Sequence, residues 1–285
     1  MHAKNSLKQV LLGLILLGIL IAPPAGAAWA QAMIMPLRVT FESRDRTADI
    51  VLFNPSNTAA VTYKLGWLNR AMTEDGNYKV VEGPLNPEFD PETAILFSPR
   101  QVTLPPGGKQ KIRLSLRRPA DLPDGEYRAH LNLQRVGASS RRNVPSNAPE
   151  GVTVQMGMNF GIAIPVIVRQ GGPYDTTATI GKPSFIPASA DGKQPAKVKF
   201  DIIRGGKYSA NGKVTVFWAP PGDKERQISV RTGVKIYHEI TRLEVTMPLE
   251  KGLTQLTGGS LRIVFEGEEP DEDVKFDEKT FPIGG

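Results

Sequence analysis

Outside its first 32 residues the sequence holds two histidines, His130 and His238, and the whole chain has no cysteine. The histidines sit in no defensible His/Ser/Asp arrangement, no metal-ligand spacing accompanies them, and there is no phosphate-binding loop. Without cysteine there is no thiol chemistry and no cysteine-based metal site. The acidic stretch from Glu266 to Asp273 fits no calcium-loop spacing and reads as a solvated hairpin loop. No catalytic residue, metal site or cofactor is expected, and the chain does not read as an enzyme.

The spacing that does point to chemistry lies at 151–164. Val152, Val154, Met156, Met158, Phe160, Ile162 and Ile164 occupy every second position, and small or polar residues, Gly151 to Ala163, fill the other face. A period of two places the apolar set on one face of a strand. An ordinary last strand filling its own core would show the same alternation. This one, however, is far longer than the usual ~5–6 residues. A strand that outruns its own sandwich projects apolar side chains that need a partner. Long apolar edges recruit other chains, so the chemistry implied is strand addition to a partner sheet. The two methionines suit a surface that accepts several shapes.

The rest of the chain must position that strand. Lys4 and Lys8, an apolar run from Val10 to Ile21 and Ala30-Gln31-Ala32 have the layout of a secretory signal peptide, expected over 1–32. The apolar run is short for a membrane span and Pro23-Pro24 breaks it. What remains is mildly basic, too weakly to imply nucleic acid. A secreted chain without disulfides must be held by hydrophobic cores. Short alternating segments recur at 48–53, 61–67, 111–116 and 128–133, with abundant Gly and Pro between apolar runs. Further strands are expected at 179–180, 196–203, 212–218, 227–231, 242–248, 260–266 and 275–282. No amphipathic helix follows the leader, so the fold class is all-β. Trp67 and the Asp124-Gly125-Glu126-Tyr127 strand opening, which reads as a tyrosine corner, favour immunoglobulin-like sandwiches. Gln170-Gly171-Gly172-Pro173 reads as the hinge between two domains, 33–170 and 171–285. The segment 135–150, polar and basic at Arg141-Arg142, reads as a loop.

Several pieces together resemble the periplasmic pilus chaperones of the chaperone–usher pathway. Arg38-Val39-Thr40-Phe41 is similar to the family's first-strand motif, and Asn54-Pro55 to its Asn-led turn. Tyr63 and Trp67 match a Tyr…Trp pair. The stretch from Ser98 to Lys109 matches a P-x-x-x-x-L-x-P-G motif, and 154–158 the donor strand. The resemblance covers residues 36–169; the second half matches only in size and strand content. It implies two immunoglobulin-like β-sandwich domains joined at an angle. It also implies that pilus subunits are bound by donor-strand complementation and delivered to an outer-membrane usher in the periplasm. Val154, Met156 and Met158 would be the main plugs, with Val152 and Phe160 at the ends. The subunit's C-terminal carboxylate would be anchored by Arg38 and a second cation. Ala163 stands where the best-known branch has a lysine, and Arg128, expected to face outward, is the candidate replacement. Self-association through the donor strand is a further expectation; nucleic-acid binding and membrane insertion after leader removal are not expected. The alternative function class is a secreted immunoglobulin-like binding or adhesion module, which would bind through end loops and tolerate polar changes in the 151–164 strand.

Overall fold

The structure, a computed structural model, describes residues 32–137, 142–143, 155–156, 161–269 and 271–284. The expected leader lies outside these residues, apart from Ala32, which packs into the first core. The first half contains β1 (Met33–Met35), β2 (Val39–Phe41), β3 (Thr47–Phe53) and β4 (Val61–Leu68). A separate hairpin follows, β5 (Arg70–Met72) and β6 (Tyr78–Val80). Then come β7 (Ile95–Ser98), β8 (Gln101–Leu104), β9 (Lys109–Leu116) and β10 (Gly125–Arg135). A short pair, β11 (Arg142–Asn143) and β12 (Gln155–Met156), precedes β13 (Gly161–Gln170).

Two sheets, β1-β3-β9-β7 and β2-β13-β10-β4-β8, enclose one core. The alternation in the sequence explains it. Ile112, Leu114 and Leu116 of β9 stand beside Ile50 and Leu52 of β3 on the inner face of their sheet, while Lys109, Lys111 and Arg113 stay in water. Tyr127 does close a tyrosine corner: its hydroxyl donates to the Pro123 carbonyl at 2.8 Å. Asn54, fully buried, donates to the carbonyls of Ala59, Leu104 and Pro105 and accepts from Ser56 N. It thus ties the Asn-Pro turn to the Pro-Pro-Gly-Gly turn beside it. Among the described residues the exception to an all-strand pattern is one helical turn, α1 (Pro91–Ala94), capped by the Asp90 side chain.

The second half contains β14 (Thr177–Ile180), β15 (Ser184–Ile186), β16 (Lys197–Gly205) and β17 (Ala210–Ala219), followed by β18 (Arg226–Ile236), β19 (Arg242–Pro248), β20 (Ser260–Gly267) and β21 (Lys275–Pro282). Its sheets are β14 and β15 on one edge of β16 with β19 on the other, and β18-β17-β20-β21. Phe200, Val214, Val216, Ile236, Met247 and Phe265 fill its core. Met72, from the β5–β6 hairpin of the first half, also packs into this second core. Among the described residues no helix is long and apolar enough to cross a membrane.

Candidate functional site: the β13 edge and the cleft between the sandwiches

β13 is paired with β10 along its whole length, from Gly161↔Gln134 to Gln170↔Gly125. On its other side β2 covers only Val166, Ile167 and Val168. Among the described residues, Gly161 to Pro165 therefore has an open edge. Ile164, Val166 and Val168 point into the first core and Ile162 packs against it. These are the same even-numbered positions that carry the apolar alternation upstream. The strand expected to run unbroken over 151–164 is described in two pieces, β12 and β13. Of the expected plugs, Val152, Val154, Met158 and Phe160 lie outside the described residues. Met156 is on β12, its backbone opposite Arg142.

β10 is unusual in being buried on both faces. Tyr127, Leu131 and Leu133 line the first core, while Glu126, Arg128 and His130 alternate onto the face that meets the second sandwich. Glu126 lies opposite Arg169 in the ladder, and the Arg169 Nε is 3.3 Å from the Glu126 carboxylate. Arg169 also faces Asp271 at 3.4 Å and Glu42 at 3.7 Å. Ser209 donates to Glu126 through its backbone N–H at 3.3 Å and through its hydroxyl, and the His238 Nδ1 is 3.8 Å away. Burial by itself pushes the Glu126 carboxyl up. The His238 ring, the Ser209 hydroxyl and the Arg169 charge outweigh burial and hold it below the ordinary carboxylate value.

Arg128 does not face outward. Its side chain is fully buried, because the second sandwich and the β5–β6 hairpin cover this part of β10. One amino group donates to the Arg70 carbonyl at 2.9 Å and to Glu239, and the other meets His130 Nε2 at 2.9 Å. Its guanidinium lies 3.9 Å from the centre of the Tyr237 ring. Both amino groups are taken, which corrects the expectation of Arg128 as a free carboxylate anchor. Arg128 instead ties the sandwiches together, since Glu239 also accepts from Met72 N at 3.0 Å. Glu74 reinforces this hairpin contact, accepting from Glu244 N at 2.7 Å and pairing with Arg242 at 2.9 Å.

Because Arg128 donates to Nε2, His130 carries its proton on Nδ1. Burial, then the charges of Arg128 and Arg70, push the imidazole down to about 3. In the unfolded chain it titrates near the ordinary value of 6.5. Between pH 6.5 and about 3 the unfolded state binds the extra proton, so stability falls as pH falls, by about 1.4 kcal/mol per pH unit from this group. We expect chemical denaturation at pH 7 and pH 5 to show this loss, and His130→Gln to flatten it.

Arg38 immediately precedes β2, and it shares an open cavity of about 600 Å³ with Lys235 of β18, Glu42, Asp49 and Glu269. Two of the acids here are engaged elsewhere. Asp49 is held by Lys111 at 3.1 Å and Arg113 at 3.0 Å, and Glu42 meets Arg169 and the Tyr174 hydroxyl. Among the described residues neither Arg38 nor Lys235 forms an ion pair. Burial, then the Arg38 charge, holds the Lys235 ammonium below its ordinary value, with Glu268 pulling the other way. Two cations that repel each other across a cavity, one from each sandwich, make a place where an anion is stabilised. No group of side chains suited to a metal ion is found among the described residues.

Among solved structures, this chain is similar to pilus chaperones. A complex of the CsuC chaperone with the CsuE tip adhesion subunit from Acinetobacter baumannii is 14% identical over 90% of this chain and 99% of that one, with a TM-score of 0.42. The E. coli chaperone DraB is 12% identical over 89% and 96%, also at 0.42. The Salmonella enterica SafB chaperone in complex with the SafA pilin is 13% identical over 89% and 97%, at 0.41. No family model matches the sequence, and no curated protein matches it. Likeness at this level carries no argument about function, which rests on the site itself.

Sequence reasoning singled out Arg38 and gave no role to Lys235, Glu126, Arg169, His238 or Glu239. Lys235 and the His238-Glu239 turn lie in the half that carried no motif. Glu126 and Arg169 flank residues that were read, but their pairing appears only once β10 and β13 are in register.

Proposed function

We propose that this chain is a non-enzymatic periplasmic chaperone for pilus subunits, one that lends the strand leading into β13 to a subunit lacking a strand of its own. The observation that carries the reading is the open edge of β13 at Gly161–Pro165, entered by the apolar alternation of Val152, Val154, Met156, Met158 and Phe160. An incomplete sandwich has an unpaired edge and an uncovered core. An added strand satisfies the first with main-chain hydrogen bonds and the second with alternate side chains. Each apolar side chain fully buried contributes roughly 1.5–3 kcal/mol, so several of them hold a subunit without ATP. The cleft supplies a second contact, with Arg38 and Lys235 as the cations that receive the subunit's terminal carboxylate. Delivery to an outer-membrane usher belongs to the same reading.

The test is capture of the tagged mature protein from its native periplasm, with mass spectrometry of co-eluting chains. One-to-one complexes with small secreted β-rich proteins are expected. Arg38→Ala removes a charge-assisted contact worth about 1.5–3 kcal/mol, so binding of the identified subunit should weaken roughly ten- to hundredfold. Partners bound equally well by Arg38→Ala and by donor-strand variants would instead favour a binding module that works through its end loops.

A further inference from the structure

The loop between β20 and β21 holds one cleft cation, Arg38, and lies against the strand that carries the other, Lys235. The Glu269 carbonyl accepts from the Arg38 guanidinium and from Asn211 Nδ2 at 2.9 Å. The Glu268 carboxylate accepts from Gly233 N at 2.7 Å, two residues before Lys235 on β18, and its charge favours the Lys235 ammonium. Asp271 reaches Arg169 at 3.4 Å, which fastens the loop to the first sandwich. The loop is tightly wound. Gly267 N donates to the Val274 carbonyl and Asp271 N to the Glu268 carbonyl. A Cβ at Gly267 would lie 1.8 Å from the Asp271 carbonyl oxygen, so only glycine fits there.

We propose that this acidic loop is a built-in competitor for the cleft, holding Arg38 and the strand of Lys235 until a chain terminus with a free carboxylate displaces it. The proposal rests on the cleft being the carboxylate site described above. The exchange is selective on physical grounds. A carboxylate is a charged acceptor and forms hydrogen bonds to guanidinium roughly twice as strong as a neutral carbonyl does. An amide or an internal carbonyl offers no more than the Glu269 carbonyl already provides. The loop therefore sets a threshold that an ionised terminus passes and a neutral one does not. Its own negative charges raise that threshold for every anion.

The experiment compares an acetylated strand-forming peptide, Ac-Thr-Val-Thr-Val-Thr-Phe, as the free acid and as the C-terminal amide, binding to the full mature chain. Wild type is expected to bind the acid more tightly than the amide. Glu268→Gln, which keeps an oxygen to accept from Gly233 N, is expected to tighten the acid roughly three- to tenfold and leave the amide unchanged. In wild type, the backbone amide resonances of Gly233 and Asp271 should shift on adding the acid and not the amide, a readout that needs no variant. If Arg38→Ala abolishes the preference for the acid while Glu268→Gln changes nothing and those resonances stay still, the loop is no competitor and the carboxylate cleft stands. If wild type binds acid and amide alike, with Arg38→Ala the same, the cleft reading falls and this inference with it.

Discussion

Met156→Asp is expected to reduce subunit binding at least a thousandfold. Two terms add. The apolar contribution of a buried methionine, roughly 1.5–3 kcal/mol, is lost. A carboxylate is also brought into an apolar groove without a partner, which costs several kcal/mol more or forces the group to protonate. Each 1.4 kcal/mol is a factor of ten in affinity, so a sum of about 4.5–6 kcal/mol exceeds a thousandfold. Gln155→Asp is the internal control, because the period of two puts residue 155 on the opposite face. It should change binding less than tenfold. Surface plasmon resonance with an identified subunit measures both, and thermal unfolding of each variant separates lost binding from lost folding. Retained affinity in Met156→Asp would remove the alternating face from the interface and leave the adhesion-module alternative in its place.

The contrast between those two positions rests on a pattern legible without a structure, and so does much of the fold. Ile112, Leu114 and Leu116 alternate with charged or polar residues because one face of β9 is dry and the other wet. The same holds for β4 and β19. Tyr127 was legible because its turn chemistry is local. Arg128 was not, because burial of both faces of β10 depends on a second sandwich and a hairpin far away in sequence. Read alone, alternation places Arg128 in water; read with Glu239 and Tyr237 above it, the same alternation places it at a junction. The β5–β6 hairpin was missed for another reason. Its signal is Asp75-Gly76, where Gly76 takes a φ of +79°, but β6 is exposed throughout and carries no alternation. Lys235 had no signal, since its meaning comes only from the arginine that faces it from the other sandwich.

That dependence of one sandwich on the other is tested most directly at Arg169. Arg169→Met is expected to destabilise the protein by about 3–5 kcal/mol, because it leaves Glu126 buried with one charge partner fewer. Glu126 has no exposed side-chain surface, so water cannot take the place of the guanidinium. For a chain of this size the loss corresponds to roughly 6–20 °C in Tm. Glu126→Gln combined with Arg169→Met should recover most of it, since removing both charges removes the unpaired one. The pH dependence has a definite sign. Glu126 ionises more readily in the folded chain than at its ordinary value of 4.5. Its contribution is therefore fully present above that pH and is lost as pH falls through the lower folded value. Glu126→Gln should flatten this acid limb, while the His130 limb at higher pH stays. The two limbs report on neighbouring residues of one strand face with opposite charge preferences. Glu126 is held there as an anion by His238, Ser209 and Arg169, and His130 is kept neutral by burial and then by the Arg128 charge. That face is stable only while the second sandwich supplies Ser209, His238 and Glu239.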